Sequence, residues 1–160
     1  MILWKKMQEW RLPKDYRLYY NLQNMKVFDL NYLLFCDHAI QDAKGKISLI
    51  GIFENFNAKQ YPSLIASFVV AGSIKLYDEN VKNAKFDMVI LDPNNKPMDI
   101  KLPTLNIDYI PAALGGEARN INLLFTINSF KIPQQGRYKF EVSFNSQKVG
   151  VLNLEAKIIN

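Results

Sequence analysis

The sequence predicts an all-β domain, an antiparallel β-sandwich of immunoglobulin-like build with a short N-terminal extension. Three observations carry that reading. Period-two alternation recurs: Tyr138, Phe140, Val142 and Phe144 fall on one face of a strand, and Arg137, Lys139, Glu141 and Ser143 on the other. Turn signals return roughly every 8–12 residues, the spacing of short antiparallel strands. After Met25 no stretch offers a helical period, and the βαβ alternation of nucleotide-binding folds is absent.

Residues 1–25 differ in pattern from the rest of the chain. Ile2, Leu3, Met7 and Trp10 can share a helical stripe, but Pro13 interrupts it, and Tyr16, Tyr19 and Tyr20 crowd together. Three readings stand open: a helical arm packed on a neighbour, a loosely ordered tail, or upstream codons before a native start at Met25. An amphipathic membrane anchor is a weaker fourth. The domain proper is expected over 26–160.

Leu30 to Ile40 is apolar on both faces in its first half, as suits a strand inside a sheet. Gln41 to Gly45 is a turn, and Ile47 to Glu54 returns as the second strand of an antiparallel hairpin. Phe56 to Leu64 reads as loop around Tyr61-Pro62. Phe68, Val70, Gly72, Ile74 and Leu76 mark a long strand, and Asp78 to Asn83 turns the chain. Phe86, Met88 and Ile90 mark the next strand, which ends at the Asp92 to Pro97 turn, where proline fixes φ and asparagine tolerates the left-handed region. Met98 to Leu102 and Leu105 to Ile110 are short and proline-bounded, as edge strands or irregular cover are. Leu114-Gly115-Gly116 is a break, and Ile121, Leu123, Phe125 and Ile127 form another strand. In the closing hairpin, a two-residue loop at Asn145-Ser146 sets Val142 opposite Val149 and Phe140 opposite Val151. Leu152, Leu154 and Ala156 imply a change of face near Gly150 through a bulge. Tyr138 stands two residues after Gly136 at a strand start, either as the corner tyrosine of immunoglobulin-like sandwiches or as a core aromatic near the rim.

Length and composition set bounds. At 160 residues the chain fits one domain able to bury a core without staples. The single cysteine, Cys36, allows no internal disulfide and suits a reducing, cytoplasmic setting. Met1 to Trp4 is too short for an export signal, and no window reaches the roughly 18 apolar residues of a membrane span. The net charge is +5, of which residues 1–25 hold +3 and the remaining 135 hold +2. Basic residues are scattered among acidic ones, so no nucleic-acid partner is expected.

Three segments taken together resemble a family of short bacterial proteins grouped as a domain of unknown function. They are LLFCDHAIQDAKGKISLIGIFENF (33–56), VILDPNNKPM (89–98) and IPQQGRYKFEVSFNSQKVGVLNL (132–154). The resemblance spans residues 27–156 and leaves out the arm. It implies a compact β-sandwich of unassigned role and carries no catalytic residue across.

Cys36, Asp37 and His38, with Asp42 nearby, are the most tempting chemical cluster. In a regular strand Cys36 and His38 share a face, but their Cβ atoms stand about 7 Å apart, beyond a direct hydrogen bond. One cysteine and one histidine do not make a four-ligand zinc site. Cys36 is expected as a core residue and His38 as a strand-end polar residue. Asp42, Asp78, Glu79, Asp92 and Asp99 lack the close spacing calcium wants and read as solvated turns. Gly115-Gly116 is followed by neither a helix start nor Lys-Ser/Thr, so no phosphate cradle is expected. Phe56, Tyr61 and Tyr109 are candidates for a sugar-stacking platform, or for capping the sandwich ends.

The expectation is a non-enzymatic cytoplasmic binding or assembly module with a protein partner, without cofactor or metal. A homo-oligomer through sheet edges or the N-terminal arm fits the same picture. The alternative is small-ligand or carbohydrate recognition at a loop end of the sandwich. A third class, an enzyme built on Cys36 and His38, is disfavoured.

Overall fold

The computed structural model describes residues 27–111 and 117–159. The N-terminal arm and Gly115-Gly116 lie outside them. The described residues form nine strands: β1 Phe28–Gln41, β2 Ile47–Phe53, β3 Asn55–Ala58, β4 Ser63–Leu76, β5 Ala84–Leu91, β6 Leu105–Ile107, β7 Arg119–Ile132, β8 Gly136–Phe144 and β9 Gln147–Ile158. They make two sheets, one in the order β2-β1-β4-β7 and one in the order β3-β9-β8-β5-β6. The chain is all-β, with no helix among the described residues.

Alternation explains why these segments are strands and which face they bury. Ala84, Phe86, Met88 and Ile90 of β5 point inward, as do Tyr138, Phe140, Val142 and Phe144 of β8. From the other sheet come Phe35, Phe68, Val70, Leu123 and Phe125, all fully buried. The two sets meet in one aromatic interior. Phe140 packs edge-on against Phe35 at 4.9 Å between ring centroids and against Phe68 at 6.0 Å. In β7 the phase slips: Ser129 adopts φ 55°, so Ile127 and Phe130 both face inward although two residues, not one, stand between them.

Side chains build the turns. In the β1–β2 turn Gly45 takes φ 82°, and Asp42 Oδ1 accepts from the Lys44 and Lys46 N–H groups at 2.9 Å each. Asp92 Oδ1 accepts likewise from Asn94 and Lys96 at 2.8 Å. Asn145 and Ser146 both have positive φ, as a two-residue hairpin loop requires. Tyr138 is fully buried, and its hydroxyl donates to the Gln134 carbonyl at 2.9 Å. The two readings of this residue therefore coincide, since it is both a core aromatic and a tie across its corner.

Two expectations need correction. The closing hairpin is one residue out of the expected register: Val142 faces Gly150 and Phe140 faces Leu152. The expected face change is real, but its bulge lies between the turn and Val142, so it moves every later partner by one. The stretch from Phe56 is not all loop, because Asn55–Ala58 forms β3 and pairs parallel with β9. β2 and β3 are nearly continuous, so the chain leaves one sheet and joins the other at Glu54, whose carbonyl accepts from Glu155 N at 3.1 Å. Both alternatives for the proline-bounded stretches occur: Leu105–Ile107 pairs along β5 as an edge strand, and Met98 to Leu102 is irregular cover, tied to β5 where Met98 N–H donates to the Ile90 carbonyl at 2.8 Å.

Tyr138→Phe keeps the buried ring and removes the tie to Gln134. It should cost about 1 kcal/mol, because Gln134 is exposed and its carbonyl can turn to water. Phe140→Ala should cost about 3–5 kcal/mol by opening a cavity between the sheets. Urea midpoints at unchanged m-values would measure both.

Candidate functional site

Cys36, Asp37 and His38 lie in the second half of β1, where Cys36 pairs with Ile52 and His38 with Ile50 of β2. Cys36 is fully buried, but not between the sheets. It belongs to a separate cluster with Val69 and Ala71, capped by Leu34, Ala39, Leu49 and Leu124. Burial is the main cause that pushes the thiol above its ordinary range; the nearby Asp37 adds to it, and a bond from the Ile50 backbone opposes it. His38 is exposed and sits opposite Ile50, mid-strand rather than at a strand end. A buried neutral thiol and a solvated imidazole do not form a nucleophile–base pair.

Asp37 has a structural task. It lies across Gly51, which takes φ 68°, and a methyl group at Gly51 would collide with the Asp37 carboxylate. Gly51 is therefore a position in the β1–β2 hairpin where only glycine fits.

Three of the acidic turn residues are spent locally. Asp42 and Asp92 hold their own turns, and Asp78 Oδ1 accepts from Asn80 N at 2.8 Å. Among the described residues no three His, Cys, Asp or Glu side chains gather as a metal site would require. Arg119, which the sequence did not single out, donates to the carbonyls of Val81 at 3.0 Å, Pro111 at 3.1 Å and Asp78. It ties the β4–β5 loop to the start of β7.

The three candidate stacking aromatics do not assemble. Phe56 and Tyr61 pack against the core, and the Tyr61 hydroxyl donates to the Lys157 carbonyl at 3.1 Å. Tyr109 alone is presented, 72% exposed, at an open hollow of about 660 Å³ lined also by Ile107, Glu117, Asn120 and Asn122. A second cleft, about 430 Å³, opens where β2 crosses to β3; the Arg137–Glu155 ion pair stands beside Phe53 and Leu152 in its wall.

The four outer strands differ in how they are guarded. β6 has three residues and β3 has four. β7 carries Arg119 and Lys131 with several asparagines. β2, Ile-Ser-Leu-Ile-Gly-Ile-Phe, has neither a charge nor a proline. It is the last strand of its sheet, and Ile50 and Ile52 are 50% and 61% exposed. Ile40, across the same hairpin on β1, is also exposed. Sequence alternation could not find this edge, because it does not tell which strand of a sheet stands last.

A family model described as a family of unknown function (DUF6941) matches residues 31–157. No curated protein matches the chain. Among solved structures, the chain is similar to the Pseudomonas fluorescens alkylpurine DNA glycosylase AlkC bound to DNA containing an abasic site analog. The identity is 9% and the TM-score 0.47, over 82% of this chain and 30% of that one. It is also similar to beta-glucosidase from Listeria innocua in complex with isofagomine, at 13% identity and TM-score 0.45, over 81% of this chain and 16% of that one. This chain thus spans less than a third of either. No described helix is long and apolar enough to cross a membrane, which says nothing of a β-barrel.

The raised thiol sets a pH dependence. Below the unfolded thiol's pKa both states are protonated and the contribution of Cys36 is complete. Above it the unfolded chain ionises first, so stability should fall as pH rises past about 8.5. Burial also raises Tyr138, Tyr32 and Tyr61, so the fall should steepen near about pH 10. Urea unfolding across this range should show a shallower early decline for Cys36→Ala, and a thiol reagent should modify wild type only on unfolding.

Proposed function

We propose, on the premise that this chain belongs to a family of unknown function (DUF6941), that it is a non-enzymatic binding or assembly module whose partner is a protein. The observation that carries this reading is β2. A terminal strand offers a row of outward backbone donors and acceptors, and natural proteins block such rows with charge, proline or brevity. β2 is seven residues long, has none of those charges or prolines, and exposes Ile50 and Ile52. Strand addition supplies affinity through backbone bonds and specificity through alternate side chains, which is the recognition mode such an edge suits.

The finer fold belongs to the same proposal. An immunoglobulin-like sandwich is supported by the order β9-β8-β5 in one sheet, which parallels the G-F-C order of that fold, and by the corner bond of Tyr138. β1 departs from that pattern, since it stands between β2 and β4 as an added strand. A cytoplasmic setting is supported by the lone free thiol of Cys36. Bacterial origin rests on the likeness of the segments 33–56, 89–98 and 132–154.

Small-ligand or carbohydrate recognition at a loop end is the second reading, favoured by the exposed Tyr109 ring beside Glu117, Asn120 and Asn122. One ring without a second gives it less support than the open edge gives the first.

Ile52→Lys places a charge on the edge at a site 61% exposed, so folding stability should change by less than about 0.5 kcal/mol. The same substitution should abolish retention of partners in a pull-down from the native host. Retention unchanged by Ile52→Lys would remove β2 as the docking edge.

A further inference from the structure

We infer that the strand which docks on β2 is β2 of a second copy of this chain, paired antiparallel about a two-fold axis through Ile50; this rests on reading β2 as the docking edge. The residues that bracket the strand make the case. Lys46 precedes Ile47, Glu54 follows Phe53, and both are exposed. Neither side chain takes part in an ion pair among the described residues, where Lys85–Asp87, Arg137–Glu155 and Lys148–Glu141 do.

A strand that is basic at one end, acidic at the other and uncharged between is complementary to itself in one direction only. Centred on Ile50, antiparallel pairing sets Lys46 opposite Glu54 of the second copy, and the symmetry makes that contact twice. Ile47 then faces Phe53 and Ile50 faces its own counterpart, so apolar side chains meet at the centre and at both ends of the ladder, while Ser48 faces Ile52 and Leu49 faces Gly51. Parallel pairing in register would instead set Lys46 against Lys46 and Glu54 against Glu54. A slip by two residues puts Lys46 opposite Ile52 or Phe56 and loses both ion contacts. Backbone bonds and isoleucine contacts hold the pair, and the exposed charges select direction and register. β2 is only seven residues long, so the ladder is short and the dimer is reversible and concentration-dependent.

Sedimentation velocity on the full chain, over about a hundredfold range of concentration, should show a monomer–dimer equilibrium in the wild type. Lys46→Glu alone and Glu54→Lys alone each turn two attractions into two repulsions, and each should weaken self-association by about tenfold or more. An equimolar mixture of the two variants restores both opposite-charge contacts, so a heterodimer should return. High salt should narrow the difference between wild type and variants. A wild type that stays monomeric overturns the proposal, as does a mixture no tighter than its components, or a dimer indifferent to both charge changes. If the wild type is monomeric while Ile52→Lys still abolishes capture of a different protein, self-pairing fails and the docking edge stands. If Ile52→Lys affects neither, both fail.

Discussion

Contact between aromatic rings of the two sheets is the constraint on which the rest of the structure depends. Phe140 of the five-stranded sheet touches Phe35, Phe68 and Phe130 of the other, with ring centroids between 4.9 and 6.0 Å apart. Such pairs prefer edge-on geometry and add about 0.5–1.5 kcal/mol each beyond their buried area. The rings can meet only if strands that alternate in sequence also alternate in space. Every departure from regular pairing is therefore arranged to keep them inside. The left-handed turn at Ser129 brings Phe130 back inward after Ile127, and the bulge in the closing hairpin lets Leu154 and Ala156 share a face with Tyr138 and Phe140.

That requirement also explains why so much of the fold could be read from the chain. β5, β8 and the first part of β7 are half-buried, so a clean apolar–polar period marks both their existence and their inner face. β1 and β4 are harder. Phe68 through Ile74 is buried on both faces, and a continuous apolar run shows a strand without saying which side looks inward. Cys36 is the consequence: burial was legible from its neighbours, but its place on the outer face, away from the aromatic interior, was not. β3 was invisible for another reason. Asn-Phe-Asn-Ala has little strand propensity of its own and is extended because β9, about a hundred residues later, offers it a parallel partner.

The candidate site follows the same division. Sequence reasoning looked for converging chemical groups, and the structure disperses them: Cys36 goes into an apolar cluster, His38 goes to solvent, and Asp42, Asp78 and Asp92 hold their own turns. What it could not see was an absence of protection, because an unguarded edge is a property of sheet order rather than of residue type. Lys46 and Glu54 look like ordinary flanking charges until β2 is known to be terminal.

A strand so apolar at a sheet edge invites the question of why it would not assemble without end. The length of β2 bears on this. At seven residues it can pair only over a short length. Pairing with itself about a two-fold axis consumes the edge of both copies at once and leaves no further β2 to extend the sheet. The far strand of the same sheet, β7, ends in charge and asparagine and offers no equivalent edge. Closure, rather than growth, is thus the outcome that the length and the charge of this strand both favour.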